Sequence, residues 1–230
     1  MPILLCLNGH SILVDYFSFI QYDVHKYYER TDFMATPPSQ GKLLYHITHI
    51  NNLPSILENG LMSRKELLKT GYHFMDIANP DILSKRENYR EALSKFVLFH
   101  FYPKNPFDGA VCKEYGSENM VIITIWRSAH EQNEFFIIPS HPLDCDEPDI
   151  YSYEQGFDLI RWDILDMETG RDYHDPEIRK ACMAECIMDY VIPPEAFAYV
   201  YVKNESVKSK ILPMNNSQQI EIKVNKYMFP

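Results

Sequence analysis

Glycine is scarce in this 230-residue chain, with eight in all, and none falls in a GxGxxG or GxxxxGK[ST] pattern. A Rossmann dinucleotide site and a P-loop both need such glycines so that backbone can approach phosphate groups, and neither is indicated. HExxH and GxSxG are missing as well, which removes the zinc-peptidase and serine-hydrolase signatures. The five cysteines, Cys6, Cys112, Cys145, Cys182 and Cys186, are an odd number without a CxxC pair. Neither a disulfide framework nor a zinc knuckle is expected, no metal is implied, and the expected compartment is the reducing cytoplasm. Cys182 and Cys186, with His174 upstream, read as buried small hydrophobes. Cations are outnumbered, 22 Lys and Arg against 32 Asp and Glu, for a formal net charge of -10. That sign argues against non-specific coating of nucleic acid, so any contact with DNA must be local. No apolar run approaches the ~20 residues that cross a bilayer. The opening MPILLCLNGHSILVDYFSF lacks a basic leading segment and is interrupted by Asp15, so it makes a poor secretory signal and no membrane partner is expected.

What is present is ample apolar and aromatic material: 46% hydrophobic residues, including 16 Tyr and 13 Phe. That is enough to build a buried core in one large domain or two small ones. Residues 1–40 differ in texture, aromatic and without clear helical or alternating periodicity until HKYYERTDF, and close on Pro37 and Pro38. They are read as an N-terminal extension, with the main domain at 41–230. Met34 opens MATPPSQGKLLYHITH like an ordinary protein start, so residues 1–33 are expected to be upstream read-through or a packing arm.

The segment KLLYHIT predicts a strand, and NNLPSILENGL a helix capped by Asn51 or Asn52, with Pro54 early and Gly60 as the stop. SRKELLKTG repeats the pattern, with Ser63 as cap, Glu66 as its box partner and Gly71 as the stop. FVLFHFY, VIITIWR and FFIIP read as strands. IRKACMAECIMDY reads as helix passing into strand around Glu185, and Ala198 to Val202 and QIEIKV supply the last strands. Short strands with helices mostly in the first half predict an α+β fold with a mixed or antiparallel sheet.

From Tyr45 to Arg64 the stretch YHITHINNLPSILENGLMSR resembles the opening of the DarT toxins. DIANPDILSKRE, FVLFHFYPKNPF, IRWDIL and AECIMDYVIPPEAF resemble later DarT segments in the same order, so the likeness reaches from about Tyr45 to Phe197. The resemblance implies an ADP-ribosyltransferase-like fold in which central mixed or antiparallel sheets form an NAD cleft with flanking helices. It also implies an enzyme that uses NAD as co-substrate, cleaves off nicotinamide and transfers ADP-ribose to thymine or guanine in single-stranded DNA. A toxin role reversed by a DarG-like macrodomain antitoxin follows from the same likeness.

The chemistry asks for a carboxylate near the ribose to stabilise an oxocarbenium-like state. Glu185 matches the family's catalytic glutamate and can also take the proton of an attacking nitrogen; read alone, it is a solvated residue at a helix end. Arg86 matches the essential arginine that holds the NAD pyrophosphate, with Arg90 on the same helix face if the alignment slips by four. Taken alone, either is an ordinary surface charge. His46 and Thr48, two apart on one strand face with His49 on the other, match the segment that contacts the NAD ribose and nicotinamide. Asn51 and Ser55 stand near enough to bond the cofactor, although as helix caps they need no function. His100 stands where a tyrosine is typical and Lys104 where an arginine is typical, so stacking on nicotinamide passes to Tyr102 or Phe101. The segment FFIIPSHPLDCDEPD, acidic from Asp144 to Glu154, departs furthest from the family, and His141 in it replaces a missing polar group or caps a turn before Pro142. The alternatives are a degenerate homologue that binds NAD or nucleic acid without turnover, a transferase acting on RNA, a nucleotide or a protein, and an interaction protein that docks through residues 1–40.

Overall fold

The computed structural model describes residues 3–7, 10–14, 36–77, 93–141, 149–215 and 220–230. The chain divides into two compact units, Met1–Thr36 and Pro37–Pro230. Within the first, β1 (Ile3–Leu7) pairs antiparallel with β2 (His10–Val14), Ile3 opposite Val14 and Leu7 opposite His10. The sequence reading expected no periodic element there. The missed signal is Asn8-Gly9 between two apolar runs, a strong short-range hairpin cue.

The second unit is built on an eight-stranded sheet. Its strands are β3 (Leu43–His49), β4 (Val97–His100), β5 (Met120–Trp126), β6 (Phe136–Ile138), β7 (Tyr151–Ser152), β8 (Glu185–Met188), β9 (Phe197–Val202) and β10 (Ile222–Val224), in the order β10-β9-β5-β3-β4-β8-β6-β7. Every pairing is antiparallel except β9 with β10, so the sheet is mixed, as expected. The parallel pair needs a crossover, which the helix Glu205–Ile211 supplies.

Helices are α1 (Leu53–Asn59), α2 (Arg64–Thr70), α3 (Pro106–Tyr115), α4 (Tyr153–Leu159), α5 (Trp162–Leu165), α6 (Pro176–Ala181) and α7 (Glu205–Ile211). They run throughout the described chain and are not gathered in the first half. Three of the missed ones begin at asparagine or serine caps that the hydrophobic pattern alone does not reveal: Asn105, Ser152 and Asn204 each accept a backbone N–H of the first turn, whereas α5 begins at Arg161 without a side-chain cap. Ser63 caps α2 as expected, by accepting from Glu66 N, and Gly71 ends it at φ 70°. The turn into α1 is set differently from the expectation. A short 3-10 turn, Ile50–Asn52, precedes it, and its cap is the His49 side chain, which accepts from Asn51 N.

Two glycines fix close approaches. Gly60 holds φ 85°, and a Cβ there would lie 2.8 Å from the Ile192 carbonyl, beside the bridge that joins Leu61 to Ile192. At Gly156, on α4, a Cβ would lie 2.5 Å from Ile137 Cβ, so only glycine lets α4 seat on β6. The main core, including Leu44, Phe99, Phe101, Val121, Ile123, Cys186 and Met188, covers one face of the sheet. A smaller one, including Tyr45, Ile122, Val111 and Met228, covers part of the other. Cys112, Cys182 and Cys186 are buried free thiols. No helix among the described residues is long and apolar enough to cross a membrane.

Candidate active site

The sheet is nearly split in two. β3 runs beside β5 from Leu43–Trp126 to His49–Met120, and β4 runs beside β8 from Val97–Met188 to His100–Glu185, but β3 and β4 meet only at Tyr45 and His100. Side chains replace the missing ladder on either side of that pair. On one side, His46 Nδ1 donates to the Leu98 carbonyl at 2.8 Å, and its ring lies 5.6 Å from that of Phe99. On the other, the buried Arg127 donates from Nε to Leu43 O at 3.0 Å and from Nη2 to Phe101 O at 2.9 Å, with Nη1 on Pro38 O at 2.8 Å. Backbone carbonyls satisfy this guanidinium, and its flat face lies 5.1 Å from the Phe101 ring. Nothing in VIITIWR alone separates such an arginine from a solvated one at a strand end.

Because paired residues share a face, Thr124, Tyr45, His100, Glu185 and Ile138 form one lateral row across five strands. The row passes through the point where the two halves of the sheet join. Glu185 opens β8 because Asp175 caps α6, accepting from Glu177 N at 2.8 Å, and the chain turns at Cys182 to Ala184 into the strand. It is not a solvated helix-end residue: it is 5% exposed. Among the described residues its Oε2 has no hydrogen-bond partner, and burial pushes the carboxyl up to about 8. A buried polar atom left without a partner is costly and marks a place where a ligand completes the bonding. His100 beside it donates from Nδ1 to Ala184 O at 3.1 Å. Burial, opposed by that bond, pushes the ring down to about 4.

Of the other expected residues, His46 and Thr48 pair with Ile123 and Val121 and so alternate to the sheet face opposite this row. Thr48 is buried, and its hydroxyl accepts from Asn52 Nδ2 at 3.1 Å. Asn51 is exposed. Its neighbour Asn52, which the sequence reading considered only as a cap, clamps the backbone of Met75 by accepting at 2.7 Å and donating at 2.9 Å. It thereby fixes the segment that leads toward Arg86, together with an Arg64–Asp76 ion pair. Arg86 and Arg90 lie outside the described residues. Tyr102 is half-buried, two residues past β4, with the Arg171 guanidinium 4.2 Å from its ring. Phe101 is 1% exposed, set edge-to-face against Phe157 and Trp162, so its ring belongs to the core and not to a stacking platform.

Lys104 takes the left-handed region at φ 64°, donating its N–H to Asp108 at 2.9 Å while Tyr173 OH donates to its carbonyl at 2.9 Å. Asp108 is buried, and burial outweighs its bonds with Lys104 and Asn105 and pushes its carboxyl up to about 7. His141 donates its backbone N–H to Lys180 O at 3.0 Å. Among the described residues no cluster of His, Cys, Asp and Glu is arranged to hold a metal ion.

The family model described as "ssDNA thymidine ADP-ribosyltransferase, DarT" matches residues 45–229. The chain belongs to the DarT family. Two DarT relatives bracket its length. One is a "DNA ADP-ribosyl transferase-DNA ADP-ribosyl glycohydrolase fusion protein" of Thermosipho africanus, 25% identical over 185 residues, 78% of this chain and 47% of that one. The other is a "DNA ADP-ribosyl transferase" of Escherichia coli O127:H6, 23% identical over 194 residues, 78% of this chain and 88% of that one. The chain thus spans about half of the fusion protein and most of the single transferase. The DarT fold itself is shared with a Thermus sp. 2.9 protein. In complex with ADP-ribosylated ssDNA that protein superposes at a TM-score of 0.69, with 19% identity, covering 82% of this chain and 96% of that one. In complex with NAD+ it superposes at 0.66, with 19% identity and 82% and 98% covered.

Proposed function

We propose that this protein is an NAD-consuming transferase that cleaves nicotinamide from NAD and places ADP-ribose on a base, thymine or guanine, of single-stranded DNA. One observation carries the reading: a buried carboxyl, Glu185, has an oxygen without a partner among the described residues, at the join of a split sheet. Its family membership supplies the reaction class.

In this reading the ribose hydroxyl next to the breaking bond donates to the open oxygen of Glu185. The cationic nicotinamide ring and then the oxocarbenium-like carbon draw the carboxyl into its ionised form. A carboxyl that burial holds near 8 when free is suited to return to its protonated form by taking the proton of the attacking base nitrogen. His46 and Thr48 flank the ribose and nicotinamide, Tyr102 offers the aromatic face, and Asn51 lies at the outer edge. Arg86, or Arg90 one turn on, holds the pyrophosphate with its guanidinium fork. No role is assigned to a metal.

Residues 41–230 carry the activity and residues 1–40 are an extension to it. The net charge of -10 fits a brief, local grip on one strand and not a coating of it. Buried free cysteines suit a reducing cytoplasm, where a modified base requires a reversing enzyme of the macrodomain class if the host is to survive.

The test is mass spectrometry of mixed-sequence single-stranded DNA incubated with NAD and the protein, beside Glu185→Ala. A mass gain of one ADP-ribose that is absent in the variant is expected, and fragmentation names the base. Nicotinamide release without any gain on DNA, but with gain on RNA, nucleotide or protein, replaces the acceptor. Absence of both results in favour of NAD binding alone makes the protein a non-catalytic homologue.

A further inference from the structure

Tyr102 stands two residues past His100, in the turn between β4 and α3, and three side chains hold the backbone of that turn. Asn105 Nδ2 donates to Tyr102 O at 3.3 Å, and Asn105 Oδ1 accepts from Asp108 N at 3.0 Å. Asp108 in turn accepts the N–H of Lys104 at 2.9 Å, and Tyr173 OH donates to the Lys104 carbonyl at 2.9 Å. Lys104 sits at φ 64°, a region that favours glycine, so both of its backbone polar groups are gripped where the conformation is least favourable.

The Tyr102 ring is held by a fourth side chain. The Arg171 guanidinium lies over one of its faces, 4.2 Å from the centroid, while Arg171 Nη1 donates to Leu165 O at 3.2 Å. Arg171 precedes Tyr173 by two residues, so the segment that leads to α6 and then to Glu185 grips the turn twice. Among the described residues no carboxylate pairs with Arg171. Its charge is felt at Tyr102, where burial raises the hydroxyl and Arg171 is the first group to oppose that rise. Cys182 and Asp108 act there in the other direction, but burial raises the Cys182 thiol and holds the Asp108 carboxyl up to about 7, so below that pH both keep their protons. Arg171 is thus the fixed charge beside the ring. The face it occupies is closed to a ligand, and any ring that stacks on Tyr102 takes the other face, with a cation behind it.

We propose that Arg171 is a positioning residue for nicotinamide departure: by backing Tyr102 with positive charge it penalises the cationic nicotinamide of bound NAD and not the neutral nicotinamide that leaves. The inference rests on the reading that nicotinamide stacks on Tyr102. A ring stacked there lies about 4.5 Å from the Tyr102 centroid, which puts the two cations on opposite sides of one phenol ring, close enough to repel in a half-buried site. When the bond between the ribose carbon and the nicotinamide nitrogen breaks, its electron pair stays on that nitrogen. The nicotinamide ring becomes neutral, and the positive charge passes to the ribose carbon, farther from Arg171. The base nitrogen then bonds to that carbon, and its proton goes to the carboxylate of Glu185. Repulsion is strongest in the bound substrate and falls as the bond breaks, and a penalty paid only in the ground state lowers the barrier.

Two measurements on the full chain test this, with Arg171→Gln and Arg171→Lys beside wild type. In steady-state nicotinamide release, Arg171→Gln keeps a planar polar group without the charge and is expected to lower kcat about threefold while KM for NAD stays the same or falls. Arg171→Lys keeps the charge and is expected to recover at least half of that loss. The second measurement is the binding of two probes, neutral nicotinamide and the 1-methylnicotinamide cation, at pH 6.5, where burial keeps the proton on Glu185. Wild type is expected to prefer the neutral probe by about tenfold, and Arg171→Gln to narrow that preference to about twofold. An unchanged kcat, a lowered kcat with a raised KM, or a probe preference that the glutamine variant leaves as it was overturns the proposal. A wild type that binds both probes alike overturns it even if no variant folds. Tyr102→Leu is expected to weaken both probes; if it leaves both unchanged, the placement of nicotinamide on Tyr102 is what fails.

Discussion

His46 reaches across the split in the sheet to Leu98, its Nδ1 2.8 Å from the carbonyl oxygen, and so supplies a hydrogen bond that the diverging backbones of β3 and β4 no longer make. This gives a histidine expected to contact NAD a second, structural task, and the two can be separated by substitution. His46→Ala leaves the Leu98 carbonyl without its donor, a loss of about 1–2 kcal/mol, together with at least a tenfold fall in kcat/KM for nicotinamide release. His46→Asn restores a donor near Nδ1 and is expected to regain the stability without the turnover. Urea denaturation and a nicotinamide assay on the two variants check this; an alanine variant as stable as wild type would remove the structural half.

Arg127 closes the other side of the same join, and its three carbonyl partners point in different directions. Removing the side chain strands those carbonyls in the interior, so Arg127→Ala is expected to lose roughly 3–5 kcal/mol. Arg127→Lys is expected to recover less than half, because an ammonium is a point donor and cannot span the fork. The midpoint of chemical denaturation reads both.

Asn52 holds the backbone of Met75 by its N–H and its carbonyl at once. Asn52→Ala is expected to cost about 1–2 kcal/mol and to expose residues 72–77 to faster amide exchange and proteolysis. If Arg86 binds pyrophosphate, KM for NAD rises more than kcat falls. Unchanged exchange in that segment would show that something other than Asn52 fixes it.

Glu185 makes stability depend on pH in a definite direction. Its carboxyl titrates near its ordinary 4.5 when unfolded and near about 8 when folded, so the folded state holds the extra proton between those values. The stabilisation is full below about 4.5 and is lost as pH rises to about 8, a span worth roughly 5 kcal/mol at most. Glu185→Gln has no such proton, so its stability relative to wild type is expected to grow across that window, most steeply from pH 5 to 8. Paired denaturation curves at three pH values decide it, and a difference that stays flat would mean the carboxyl is wetter than its position indicates.

The amino-acid sequence by itself determined most of the elements. The β-rich runs around Tyr45, Phe99, Ile123 and Val200 became strands because their composition suits a pleated, buried surface. Ser63 and Gly71 bounded α2 because capping is local chemistry that a few residues decide. The sequence likewise singled out Glu185, but only through resemblance to a family, since a glutamate in ECIM carries no local sign of burial.

What tertiary structure alone decided is the pairing. That His100 opposes Glu185, that Tyr45 meets His100 at the one point where β3 touches β4, and that Arg127 and His46 close the gaps on either side are matters of register between strands far apart in the chain. Register is set by the sum of core packing over the whole sheet, and no short window of sequence contains that sum. Those same pairings take the carboxyl of Glu185 out of water, and its ordinary acidity changes for that physical reason.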